Sequence, residues 1–324
     1  MSALSERHRT LDVAVPGGDL RVGVWEPTPS EESERASADA APAVLLVHGV
    51  TASHLSWQLV AERLPRARVI APDLRGRGRS ADLAGAAGMA AHADDLVAVL
   101  DALNVDTAVV AGHSMGAFVA LVLGERHPER VSRLVLVDGG LPLDLPEDMP
   151  IDEVIRLVLG PTAERLSRRF ASEQDYLDFW RAHPAFARDW SPALEAYLAY
   201  DLVGEAPELR PSTSYATLEE DSLDQNTGHD ISAAQSRPRH PVILLSAERG
   251  LLDQVPALYA AERLSHKVAA VPGLRHLPVA DVNHYTIVLS DRGADAVAEA
   301  VRAEISADDR AAVDVSDARR PRGS

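Results

Sequence analysis

The stretch Ala108-Val109-Val110-Ala111-Gly112-His113-Ser114-Met115-Gly116 decides the fold. Its first four residues are small and apolar, as in a strand buried on both faces. A G-x-S-x-G pattern follows at once, and helical spacing then runs over Ser114–Arg126. A serine caught between strand and helix must sit in a sharp turn. The flanking glycines let neighbouring backbone pass where a Cβ would clash. The helix N-terminus favours negative charge developing at that point. Ser114 is therefore the candidate nucleophile.

The flanking sequence keeps the same rhythm. Apolar runs at Ala43–Val47, Ala67–Ala71 and Leu134–Val137 alternate with helical patterns at His54–Leu64 and Met89–Leu103. Buried strands alternating with helices predict a parallel sheet covered on both faces. Upstream, Leu11, Val13 and Val15 face Leu20, Val22 and Val24 across Pro16-Gly17-Gly18-Asp19, which predicts a hairpin. Thr28–Pro42 lacks any period and reads as a mobile surface loop. After Asp138 the rhythm stops, and Leu143–Ser236 carries helical spacing at Ile151, Val154, Ile155 and Val158 and at Leu194, Tyr197 and Leu198. It resumes with a strand at Pro241–Ser246, a helical face from Leu258 to Val271, a strand at Leu274–Val279 and a helix from about Asp291 to Ile305. The expected organisation is a core over residues 1–142 and 237–305, a helical cap over 143–236 and a fraying tail over 306–324.

Composition narrows the function. The chain has 324 residues, 46% hydrophobic and 25% charged, as expected of a globular protein with room for a sizeable core. Cysteine is absent, which excludes thiol catalysis, disulfides and Cys-ligated metals. A net charge of −17 disfavours nucleic acid and anionic membranes as partners. No run approaches the length of a membrane span, and Met1–Arg7 lacks an apolar signal core, so a cytoplasmic location is expected. Cap and core surfaces both leave room for a homodimer.

Two further segments carry chemistry. The run Ala43–Val47 ends in His48-Gly49-Val50, and the Val50 N–H can converge with that of Met115 to form an oxyanion hole. His48 itself reads as structural. In Asp73-Leu74-Arg75-Gly76-Arg77-Gly78-Arg79-Ser80 the third glycine of a dinucleotide loop is missing, so the segment reads as a structural turn. Its three arginines are expected to be solvated or paired with carboxylates.

His48-Gly49, Asp73–Ser80, Gly112–Gly116 and Asn283-His284 together resemble the α/β-hydrolase superfamily in its cap-bearing branch. The resemblance implies an α/β fold with a mostly parallel eight-stranded sheet, flanking helices and a helical cap insertion. It implies a general base after the last strand, which His284 matches; His276, inside that strand, does not. The acid departs from the commonest pattern: Gly250 fills its slot after the next-to-last strand. Asp253 lies three residues on, and Asp138, at the end of Leu134–Val137, occupies the other family position and is favoured. The arrangement is also similar to bacterial lactone hydrolases, including those that open macrolactones such as zearalenone.

The implied reaction is serine hydrolysis of a carboxylic ester or lactone, with Ser114, His284 and Asp138 as the catalytic set and no metal or organic cofactor. C–C bond hydrolases and amidases use the same residues, and a ligand-binding homologue without turnover is the alternative from another class. Nine of the 14 aromatic residues lie between Leu143 and Ser236, which suggests a substrate-shaping role for Trp180, Trp190 and Tyr197. That segment holds 19 acidic and 7 basic residues, so a neutral, bulky, apolar small molecule is the expected partner.

Overall fold

The computed structural model describes residues 5–29, 41–144 and 149–318. Most of the loop expected over Thr28–Pro42 lies outside the described residues, as does the chain beyond 318. The hairpin is present: β1 (His8–Val15) pairs antiparallel with β2 (Gly18–Trp25), Val15 opposite Gly18. Then come β3 (Ala43–Val47), α1 (Gln58–Glu62), β4 (Arg68–Pro72), α2 (Met89–Ala102), β5 (Ala108–His113), α3 (Met115–Arg126) and β6 (Val131–Val137). The insertion contributes α4 (Ile151–Leu159), α5 (Pro161–Glu164), α6 (Glu173–Arg181) and α7 (Pro192–Tyr200). A two-stranded ribbon of β7 (Leu202–Val203) and β8 (Arg210–Pro211) follows, then α8 (Tyr215–Thr227) and α9 (His229–Ser236). The chain returns to the sheet with β9 (Val242–Arg249), α10 (Ala261–Ala270), β10 (Arg275–Asn283), α11 (Thr286–Leu289) and α12 (Asp291–Ala318).

The eight strands of the main sheet lie in the order β1-β2-β4-β3-β5-β6-β9-β10. All neighbours from β4 to β10 pair in parallel, and only β2 runs against the rest of the sheet. This is the mostly parallel, helix-flanked sheet that the alternation predicts. Every residue of β5 is buried, because helices cover it on both faces. One apolar cluster joins α2 and α3 to the sheet, and a second joins α12 and the insertion's aromatic residues to the opposite face. At the far edge β10 has no outer neighbour among the described residues; it carries Pro278 and an exposed Leu277.

Among the boundaries that differ from expectation, two stand out. The last strand extends to Asn283 rather than ending at Val279, so His284 follows it directly. The final helix continues past Ile305 to Ala318, into the segment expected to fray. Residues 306–318 hold four alanines, the strongest helix former, which favour continuation of the helix. No described helix is long and apolar enough to cross a membrane.

Polar groups buried beneath the strand ends hold the loops in place. Asp73 accepts from the backbone and ring of His54, both at 2.8 Å, from Arg79 N at 2.9 Å and from the Tyr200 hydroxyl at 2.7 Å. Burial pushes its carboxyl up, but His54 and His48 outweigh that and hold it near 2. His48 donates from Nδ1 to Gly49 O at 2.8 Å and accepts at Nε2 from Leu74 N at 2.9 Å, a structural role. Burial brings His48 down to about 4, and burial does the same to His8 and His183.

These histidines make the fold sensitive to acid. An unfolded chain takes up their protons near 6.5, whereas the folded chain refuses them until about 4. Their contribution is therefore whole above pH 6.5 and drains away as pH falls toward 4, with His48 alone accounting for about 2 kcal/mol at pH 5. Urea midpoints measured at pH 7.5, 6 and 5 should fall steadily. Unchanged midpoints over that range would show that these rings are protonated in the folded state.

Candidate active site

Ser114 occupies the turn between β5 and α3 with φ 55° and ψ −122°, a conformation costly for any residue with a side chain. Tight backbone contact on two sides enforces it. A Cβ on Gly116 would lie 2.1 Å from the Val47 carbonyl oxygen, and one on Gly139 would lie 2.2 Å from that of Ser114. Only glycine lets the ends of β3 and β6 close on the serine in this way. Ser114 N also donates to Val137 O at 3.0 Å, tying the turn to β6.

The structure brings three of the expected residues together. His284 Nε2 lies 3.1 Å from Ser114 Oγ, and its Nδ1 lies 2.7 Å from Asp138 Oδ2. A carboxylate can only accept, so Nδ1 carries the proton and Nε2 is left to accept from the serine hydroxyl. Asp138 is fully buried at the end of β6, with φ 44°, and its Oδ1 accepts from Ala247 N at 3.1 Å.

Asp253 is not brought to the histidine. Its Oδ1 accepts from Arg249 Nε at 2.6 Å and from Asn283 Nδ2 at 3.0 Å. Asn283 in turn accepts from Tyr285 N and Thr286 N, each at 3.0 Å, so Asp253 braces the turn beside His284 without touching its ring. His113 is a neighbour that the motif reading passed over. Its Nε2 donates to the His284 carbonyl at 2.8 Å, and burial together with the His284 ring pushes its own basicity far down. The signal was its place inside the motif, where only the serine and the glycines were weighed.

Gly49 approaches the serine closely, a Cβ there falling 3.2 Å from Ser114 Cβ, so Val50 stands beside the hydroxyl. Met115 begins α3, where its N–H has no acceptor within the helix. The arginines of Asp73–Ser80 fall as expected, two paired with carboxylates and Arg79 exposed. Arg75 pairs with Asp95 at 2.9 Å and Arg77 with Asp221, all four buried, while Arg79 lies 4.3 Å from the centre of the Tyr200 ring.

A two-lobed cavity meets at this point. The lobes span about 530 and 400 Å³ when the open solvent at their mouths is counted, and share Val50, Ser114, Leu159, Leu251 and His284. In the larger, Val154, Ile155, Val158 and Leu159 of α4 form an aliphatic wall opposite Phe118 and Tyr259, with Ser222, Gln225 and Asn226 of α8 along one side. The smaller is lined by Thr51, Ser56, Tyr197 and Tyr285 among others. Among the described lining residues of both lobes Asp138 is the only acid, and His284 and His113 are the only histidines.

Of the three aromatic residues expected to shape the pocket, only Tyr197 lines it. Trp180 is buried against Tyr176, Phe179 and Phe186 within the insertion. Trp190 donates to Glu195 at 2.7 Å and lies under Arg181. A thin helical layer needs its largest side chains to build a core of its own, which leaves the cavity wall to the aliphatic face of α4.

Comparison with known proteins places this architecture. The model of the α/β-hydrolase fold family matches residues 42–289. Lipase LipV of Mycobacterium tuberculosis is 41% identical over 101 residues, 31% of this chain and 38% of the relative. The 2-hydroxymuconate semialdehyde hydrolase of a Pseudomonas species is 41% identical over 117 residues, 34% of this chain and 41% of the relative. The chain thus spans well under half the length of these two relatives. Among solved structures, E-2-(acetamidomethylene)succinate hydrolase superposes with a TM-score of 0.70 at 19% identity, over 92% of this chain and 99% of that one. The thioesterase domain from the curacin biosynthetic pathway gives 0.69 at 19% identity, over 91% and 99%. Sheet order, serine turn and family match agree: the chain belongs to the α/β-hydrolase fold family.

Proposed function

We propose that this protein is a serine hydrolase that cleaves a carboxylic ester or lactone of a neutral, largely apolar substrate through an acyl-enzyme. The unbroken hydrogen-bonded chain Ser114–His284–Asp138 at the junction of the two lobes carries the reading. Ser114 Oγ attacks the substrate carbonyl while His284 Nε2 takes its proton. Asp138 holds the imidazole in the required tautomer and stabilises its charged form. The carbonyl oxygen becomes negative and is received by the N–H groups of Val50 and Met115. His284 returns the proton to the leaving alcohol; water then enters, is deprotonated by the same nitrogen, and releases the acid.

The aliphatic wall of α4 supports an apolar acyl group in the larger lobe, gaining about 25 cal/mol per Å² buried, with the alcohol portion in the smaller lobe. A macrocyclic lactone such as zearalenone is one substrate of this class. Among the described residues no lysine or arginine lines either lobe to receive a carboxylate, which supports a neutral ligand. The match to 2-hydroxymuconate semialdehyde hydrolase favours C–C bond hydrolysis as the second reading. A panel of esters, lactones, amides and β-diketones separates the two.

Three outcomes are expected. Ser114→Ala should cut turnover by roughly 10³-fold or more and abolish labelling by a fluorophosphonate, with the melting temperature retained. Persistent turnover would remove the serine mechanism. Asp138→Asn should lower kcat by on the order of 10³- to 10⁴-fold, since His284 then adopts the wrong tautomer. Asp253→Asn should cost far less, and the reverse ranking would transfer the acid's role to Asp253. In a p-nitrophenyl ester series, Ile155→Trp should suppress long-chain esters while sparing acetate, whereas Trp190→Ala should leave the chain-length profile unchanged. A profile altered by Trp190→Ala and indifferent to Ile155→Trp would move the acyl site out of the larger lobe.

A further inference from the structure

The loop 49–52 bears one of the two proposed oxyanion donors, yet its own side chains are small and give it little anchorage. Two buried guanidinium groups hold it instead. Arg77 Nε donates to Val50 O at 2.8 Å, Nη1 donates to Arg75 O at 2.8 Å, and Nη2 lies 3.9 Å from Met115 Sδ. Arg165 Nη2 donates to Thr51 O, the next carbonyl along, at 3.1 Å. Each arginine faces a carboxylate of the insertion: Arg77 pairs with Asp221 of α8, and Arg165 lies 3.1 Å from Asp201.

Arg77 therefore touches both residues whose N–H groups flank the serine. It is fully buried and so is Asp221, which also accepts from Gly88 N at 2.6 Å and from His92 Nε2 at 3.0 Å. Burial raises Asp221's carboxyl, but the Arg77 charge and His92 more than offset this and keep it ionised. A neutralised pair of this kind offers the oxyanion geometry rather than net field. A carbonyl gripped by a fixed guanidinium sets its peptide plane, and with it the backbone leading from the Val50 N–H. Removing the carboxylate would leave a buried charge uncompensated and loosen that grip.

We propose that Arg77 is a positioning residue for the oxyanion hole and that Asp221 holds it there, so that the hole is complete only when the insertion is seated on the core. This rests on the serine-hydrolase reading above. The pair is where the insertion reaches through the core to the reacting atoms, although neither side chain lines the cavity.

The test compares Arg77→Met, Arg77→Lys and Asp221→Asn with Arg75→Met, which breaks a comparable buried pair, with Asp95, that does not touch the loop. For a p-nitrophenyl ester, the three variants at 77 and 221 should lose roughly 10- to 100-fold in kcat while KM stays within about threefold. Affinity for a trifluoromethyl ketone, which forms an oxyanion on Ser114, should fall in step with kcat, and affinity for the corresponding unreactive ether should not. Arg75→Met should show neither effect. Arg77→Lys keeps a charge for Asp221 but loses the donor to Val50, so it decides the matter if Arg77→Met does not fold. The proposal is overturned if folded Arg77→Lys and Asp221→Asn keep kcat and ketone affinity within about threefold of the parent while Ser114→Ala is inactive. An active Ser114→Ala would instead overturn the serine-hydrolase reading and this proposal with it.

Discussion

Asp138 is the point on which sheet and site both depend. Its N–H donates to Leu245 O at 2.7 Å, and its Oδ1 accepts from Ala247 N, so the residue joins the ends of β6 and β9. Its other carboxylate oxygen meets His284. A fully buried carboxylate is tolerated only with its lone pairs engaged, and here one oxygen is engaged by the scaffold and the other by the imidazole. The same contacts that make the charge bearable therefore aim the ring at Ser114. The left-handed φ at both Asp138 and Ser114 fits this account, since strain persists where surrounding contacts over-determine the backbone.

The core was legible because its signals are local. Strand β3 and the starts of α2 and β5 fall where apolar runs and helical spacing place them, and the serine turn follows from five consecutive residues. His284 was legible from its place after a strand. Choosing between Asp138 and Asp253 was not a local question. It depended on which carboxylate the sheet delivers to a ring 146 residues further along the chain from Asp138, and Asp253 is drawn off by Arg249 and Asn283.

The insertion was read least well, for a physical reason. Aromatic enrichment signals a need for apolar volume but not which surface uses it. Here Trp180 and its neighbours fill the interior of a thin layer, while α4, identified by its apolar spacing alone, supplies the wall. Likewise the arginines at 75 and 77 gave no sign in sequence that their partners lie at 95 and 221. Pairing at such separation is a product of topology, and a charge written beside glycines in a loop looks the same whether it faces water or an enclosed carboxylate.

The open edge at β10 has a consequence of its own. A parallel sheet that ends without a neighbour offers a template on which other extended chains can grow. Pro278 breaks the row of donors such a newcomer would need, and a proline in an outermost strand is a common natural guard. The opposite margin is β1, where Arg9 and Asp12 stand outward and are spoken for by Glu26 and Arg21. Continuous strand recruitment is thus impeded at both margins by different means, one covalent and one electrostatic. The β1 margin, held by ion pairs, is the one that high salt would weaken. In concentrated or partly unfolded preparations, ordered aggregation should therefore begin from the hairpin side, where the guard can be screened, rather than from β10, where it cannot.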